Sequence, residues 1–98
     1  MIVAYRASAV ARSRIPATVH VDGTLRPQLV EEGGESRYAR LLAGFAAETG
    51  VPVLLNTSFN HEAEPIVCTP TDALRTFFAG PLDVLALGGH LISKSGRL

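Results

Sequence analysis

Between Tyr38 and Leu55 the hydrophobic period of this chain changes once, and the change falls on a glycine. Tyr38, Leu41, Leu42, Phe45 and Ala46 follow the i, i+3, i+4, i+7, i+8 stripe of an amphipathic helix, with Ser36 placed to cap its start. Gly50 supplies a C-terminal stop, and Val51-Pro52-Val53-Leu54-Leu55 follows as an unbroken apolar run. Such a run, with a proline near its start, predicts a buried strand. A helix feeding directly into a strand of this kind points to an α/β chain.

The flanking sequence extends the pattern. Ile2-Val3-Ala4-Tyr5 reads as a short strand, and residues 7–14 read as a loop. After Pro16, Ala17, Val19 and Val21 alternate with Thr18, His20 and Asp22, the period of a strand with one buried face. Asp22-Gly23 is a turn signal, with a second short strand expected over residues 24–30 and a loop over 31–35. Residues 56–64 are polar, and residues 65–68 resume as a short strand. Thr69-Pro70-Thr71-Asp72 is a helix start: threonine at the N-cap, proline at the first helical position, a carboxylate at the third. Ala73, Leu74, Phe77 and Phe78 give that helix its apolar side, with Phe77, Phe78 and Phe45 expected in the core. Gly80-Pro81 ends it, residues 83–87 form a strand, Gly88-Gly89 breaks that strand, and Leu91-Ile92 extends the edge. The expected architecture is a mixed twisted sheet with two helices, in one domain over residues 1–98.

Composition narrows the function classes. Of 98 residues, 47% are hydrophobic and 18% charged, which suits a packed core rather than disorder. Lys plus Arg equals Asp plus Glu at nine each, so no global field draws the chain to nucleic acid or to a membrane. Any anion site must be local. The single cysteine, Cys68, excludes an internal disulfide, favours a cytoplasmic setting, and reads as a small buried hydrophobe. No apolar run approaches the roughly 20 residues of a membrane span. Arg6, Arg12 and Arg14 precede any acid, a faint likeness to a transit peptide that the strand-like start argues against.

Two segments are polar where a core-building chain would be apolar. In His20-Val21-Asp22-Gly23-Thr24-Leu25-Arg26, the arginine lies just beyond a turn at a strand end, suited to bidentate contact with phosphate or carboxylate. His20 and Asp22 share one face of the expected strand. The plainer reading, a hairpin with a solvated face, has precedence on residue types alone. In Asn56-Thr57-Ser58-Phe59-Asn60, two amides and two hydroxyls follow the apolar run, where α/β sheets gather ligands. An ordinary capped loop accounts for the same residues equally well. His20 and Asp22 with His61, Glu62 or Glu64 show no recognised metal spacing, and no metal ligand is assigned. No Gly-rich phosphate loop is present. Ser58 lacks the glycine pattern of a nucleophile elbow, no catalytic residue is assigned, and Lys94 reads as a solvated tail residue.

Longer motifs carry a resemblance. Ile15-Pro16-Ala17 running into His20-Val21-Asp22-Gly23-Thr24-Leu25-Arg26-Pro27-Gln28 resembles one signature of the O-carbamoyltransferases that decorate nodulation factors and antibiotics. Thr49-Gly50-Val51-Pro52-Val53-Leu54-Leu55-Asn56-Thr57-Ser58-Phe59-Asn60 resembles a second. Glu64-Pro65-Ile66-Val67, Thr69-Pro70, Asp72-Ala73, Asp83-Val84-Leu85 and Lys94 follow in the family's order.

The resemblance implies that the chain is the later half of a C-terminal domain similar to the threonylcarbamoyl-adenylate synthases. Met1 then falls inside a longer polypeptide. An N-terminal metal-binding domain for the transfer step, and further lysine and arginine phosphate ligands, would lie upstream or on a separate chain. The implied substrates are carbamoyl phosphate and ATP, the latter with Mg2+. Arg26 matches an arginine of the family's carbamoyl-phosphate pocket, Ser58 a serine on its opposite wall. Asn56, Thr57 and Asn60 are implied neighbours that shape the loop, and His20 and Asp22 orient Arg26. The implied chemistry is adenylylation: a carbamate oxygen attacks the α-phosphorus of ATP, pyrophosphate leaves, and a small-molecule hydroxyl later receives the carbamoyl group. A non-catalytic nucleotide- or phosphate-binding remnant and a remnant without activity are the alternatives, and the isolated chain is expected to make no carbamoyl-adenylate. Ala63 stands where the family generally has glycine. If that position needs a positive φ, alanine strains the turn by roughly 1 kcal/mol.

Overall fold

Ser8, Ser36 and Thr69 each begin a helix in the computed structural model, which describes residues 3–96. In each case the side-chain oxygen accepts a hydrogen bond from the backbone N–H three residues on, at 3.0–3.1 Å, satisfying a donor that the first helical turn leaves free. The helices are α1 (Ala9–Arg14), α2 (Arg37–Thr49) and α3 (Pro70–Ala79). The strands are β1 (Tyr5–Arg6), β2 (Thr24–Leu25), β3 (Val84–Leu87) and β4 (His90–Ser93). They form two antiparallel pairs, β1 with β2 and β3 with β4. The α/β class holds. Its sheet content is two separate hairpin-like pairs with three helices, where one mixed sheet with two helices was expected. The chain divides into two compact units, Met1–Asn56 and Thr57–Leu98.

In the first unit, Tyr5 faces Leu25 and Arg6 faces Thr24 across the ladder, and the Ala7 N–H donates to the Gly23 carbonyl at 2.9 Å. The expected first strand is therefore present at Tyr5, while Ile2 lies outside the described residues. Residues 9–14 are helical rather than loop, because Ser8 caps a run of good helix formers. Pro16–Thr18 is a turn of 3-10 helix instead of the start of a strand. The proline's fixed φ suits a first helical position, and the turn from His20 to Gly23 follows too soon for a ladder to form. Beyond Leu25 the second strand does not continue.

Helix α2 ends at Gly50, which adopts φ 72° and donates its N–H to the Ala46 carbonyl. Its apolar stripe is only partly covered: Tyr38, Leu41 and Phe45 remain exposed, and only Ala39 on this helix is buried. Phe45 is thus not a core residue here. Residues 51–55 follow the glycine but pair with no strand among the described residues, and Leu55 is 59% exposed. An apolar period makes a strand only when a neighbour supplies ladder partners.

The second unit has the better core. Ala73, Phe77 and Leu85 are buried together, with Phe59, Val67, Leu87 and Ile92 packed against them. Thr69 and Asp72 form a full capping box: Asp72 Oδ2 accepts from the Thr69 N–H at 3.1 Å while Thr69 Oγ1 accepts from the Asp72 N–H. Val84 faces Ser93 and Leu87 faces His90 across the β3–β4 pair. Lys94 closes the end of α3: its ammonium donates to the Gly80 carbonyl and lies 4.9 Å from the Phe77 ring centroid. It is a fixed part of the unit rather than a solvated tail residue. Phe78 is 60% exposed and Cys68 is exposed, so neither joins the core as expected. Residues 65–68 form no strand, although the Val67 N–H donates to the Phe59 carbonyl at 2.9 Å. Among the described residues no helix is long and apolar enough to cross a membrane.

Candidate ligand-binding site

The turn from His20 to Thr24 is built by its own polar groups. The Gly23 N–H donates to the His20 carbonyl at 2.9 Å, and the His20 N–H donates to the Thr24 carbonyl at 2.8 Å. Asp22 Oδ1 accepts from both the Thr24 N–H at 2.9 Å and the Thr24 hydroxyl at 2.7 Å. The carboxylate therefore holds the entry to β2, the strand that leads into Arg26. These bonds, the Thr24 hydroxyl's first, hold the Asp22 carboxyl below its ordinary 3.8, and positive charge on His20 adds to the effect. Asp72 is likewise lowered, first by the Thr69 hydroxyl and then by its N–H.

Both carboxylates are depressed in the folded chain, so each contributes stability above pH 3.8 that is lost as pH falls through the folded value. A thermal-melt series should therefore show a falling Tm below about pH 4 that is shallower in an Asp72→Asn variant. Equal acid slopes in both proteins would contradict this.

Arg26 is exposed and makes no ion pair among the described residues. Its guanidinium is thus free for an external anion. Asn56 is joined to the same segment: its Nδ2 donates to Gln28 Oε1 at 3.0 Å across 28 positions of sequence. His20, Asp22, Arg26, Gln28 and Asn56 all belong to the first unit. Two concave regions of that unit lie elsewhere. One, of about 550 Å³, lies by Gly33, Gly34 and Arg40; the other, of about 280 Å³ and mostly apolar, lies by Pro16, Phe45 and Val53.

Thr57, Ser58 and Asn60 belong to the second unit. Thr57 and Ser58 are exposed, and their hydroxyls bond to no described residue. Asn60 is half-buried and works inward, its Nδ2 donating to the carbonyls of His61 at 3.1 Å and Glu64 at 3.0 Å. It braces the loop between Phe59 and Val67, leaving only its own carbonyl uncommitted. His61 ties that loop to α3, its Nε2 donating to the Thr76 carbonyl at 2.9 Å. No sequence signal singled out His61 for this role or Gln28 for its link to Asn56. Among the described residues no three His, Cys, Asp or Glu side chains are grouped to hold a metal ion.

The braced loop turns at Ala63, which adopts φ 66°, the only positive φ outside glycine among the described residues. The Glu64 N–H closes the turn on the His61 carbonyl at 3.1 Å, which puts Ala63 at the position a type II turn reserves for glycine. An Ala63→Gly variant should gain about 1 kcal/mol, the left-handed penalty less the entropy glycine adds to the unfolded chain. A melting temperature unchanged or lowered by that substitution would contradict the strain.

Comparison with known proteins places these segments in context. Residues 1–94 match the family model described as Carbamoyltransferase C-terminus. The chain is 46% identical over 83 residues to nodulation protein NolNO of Sinorhizobium fredii, covering 85% of this chain and 12% of that protein. It is 44% identical over 88 residues to an uncharacterised protein of Synechocystis, covering 90% and 14%. It is 43% identical over 60 residues to the 3'-hydroxymethylcephem-O-carbamoyltransferase of Amycolatopsis lactamdurans, covering 61% and 12%. The chain thus spans 12–14% of the length of these curated relatives.

Proposed function

The chain belongs to the carbamoyltransferase C-terminus family, and on that premise we propose that it forms part of a pocket for carbamoyl phosphate and ATP. In this reading the pocket serves carbamoyl-adenylate formation ahead of O-carbamoylation of a small-molecule hydroxyl. The observation that carries the proposal is an exposed Arg26, with no ion-pair partner among the described residues, two positions before Gln28, whose bond to Asn56 ties the first signature to the end of the apolar run in the second.

Arg26 neutralises phosphate charge through paired N–H donors, and the rigid Asp22–Thr24 turn fixes the strand that presents it. Water releases phosphate from carbamoyl phosphate to leave carbamate. A carbamate oxygen then bonds to the α-phosphorus of ATP as the bond to pyrophosphate breaks. The protein's share is orientation and charge stabilisation. Magnesium accompanying ATP has no grouped ligands among the described residues, so no step is assigned to a metal held by this chain. The exposed Tyr38, Leu41 and Leu55, together with residues 51–55, which pair with no strand among the described residues, support a segment completed by other parts of a longer domain.

Calorimetric titration of the chain with carbamoyl phosphate and with ATP tests the proposal. Charge-assisted hydrogen bonds contribute about 1.5–3 kcal/mol, so Arg26→Ala should weaken carbamoyl phosphate binding at least roughly tenfold. Raising the salt concentration should weaken the wild type more than the variant. Binding that Arg26→Ala leaves unchanged would remove this arginine from the site.

A further inference from the structure

The Asn56–Gln28 bond joins two primary amides by a single hydrogen bond, and this leaves a complementary pair of groups uncommitted. Asn56 uses one N–H and Gln28 uses its carbonyl oxygen. The Gln28 NH2 and the Asn56 carbonyl oxygen bond to no other described residue, and both side chains are exposed. A primary amide offers two N–H donors and an acceptor oxygen, so the bonded pair keeps a donor on Gln28 and an acceptor on Asn56. The ligand that answers both carries an acceptor and a donor on one planar group. A carbamoyl group, O=C–NH2, is such a group: its oxygen accepts from Gln28 and its N–H donates to Asn56. Gln28 also lies two residues beyond Arg26, and carbamoyl phosphate joins its phosphate and carbamoyl groups through one oxygen.

We propose that Gln28, held by Asn56, is the residue that distinguishes a carbamoyl group from other acyl groups attached to phosphate. The proposal rests on Arg26 serving as the phosphate contact. Sites that hydrogen-bond a substrate N–H reject analogues lacking it, because their own polar groups are then left unpaired. Acetyl phosphate is the fitting probe, since a methyl group replaces the NH2 and phosphate is kept.

Affinities of the full chain for carbamoyl phosphate, acetyl phosphate and adenosine, measured for wild type and Gln28→Met, test this directly. Wild type should prefer carbamoyl over acetyl phosphate by about tenfold. Gln28→Met should bind both alike, near the wild-type affinity for acetyl phosphate. Equal wild-type affinities, a preference that survives the substitution, or equal loss of both anions in the variant would overturn the assignment. The phosphate reading would stand in the first two cases. Adenosine binding that depends on Gln28 would assign the edge to a purine instead, overturning the carbamoyl assignment. Binding of neither phosphate would remove the phosphate reading and this inference together.

Discussion

Replacing Phe77 with alanine should unfold the Thr57–Leu98 unit under conditions where the wild type is folded. Phe77 is 0% exposed and lies at the centre of the cluster with Ala73 and Leu85. Its ring also meets Phe78 edge-on at 5.1 Å between centroids and carries the Lys94 ammonium on its face. Truncating a buried phenylalanine costs about 3–5 kcal/mol in transfer and cavity energy. Typical stability for a unit of roughly forty residues is about 2–6 kcal/mol, so the loss is comparable to the whole. Phe78→Ala is the control, because that side chain is 60% exposed and should cost well under half as much. Amide hydrogen exchange over α3, β3 and β4 reads the result. Wild-type protection in Phe77→Ala would mean the core lies elsewhere.

Gly80→Ala should destabilise the same unit, and for a reason that makes it reversible by a second substitution. A Cβ at residue 80 would stand 2.6 Å from His61 Cε1 and 3.2 Å from the Thr76 carbonyl oxygen. The imidazole must swing away, which breaks its bond to that carbonyl and loosens the loop braced by Asn60. The combined cost is about 1–3 kcal/mol. In a His61→Ala background the clash with the ring is gone, so Gly80→Ala should then cost a small fraction of that. Thermal melts of the four proteins complete the cycle. Full additivity would show that the glycine is required for another reason.

What the sequence makes legible here is local. Ser36, Gly50 and the Thr69-Pro70-Thr71-Asp72 box mark helix ends through bonds made within a few residues, and all appear where expected. Gly88-Gly89 turns β3 into β4 for the same reason. The positive φ at Ala63 was foreshadowed by the family resemblance, in which glycine stands at that position, and by nothing in the alanine itself. Pairing across the chain was not. Residues 51–55 have the composition of a buried strand, yet a strand needs a neighbour, and none pairs with them among the described residues. Residues 16–22 alternate like a strand, but Pro16 and the Asp22–Thr24 bonds commit the backbone to tight turns. Residues 9–14 read as loop because they carry no apolar stripe, and the Ser8 cap that starts their helix went unread. The sequence separately marked the polar segments holding Arg26 and Asn56. The amide bond to Gln28 that joins them depends on the fold, so no spacing rule announces it.

The most direct test of the account is an amide-resolved NMR titration of the chain with carbamoyl phosphate. Saturable shifts should concentrate at residues 24–28 and at Asn56, including the side-chain amides of Gln28 and Asn56. Shifts centred instead on Gly33, Gly34 and Arg40, or no saturable shift from a folded chain, would contradict it.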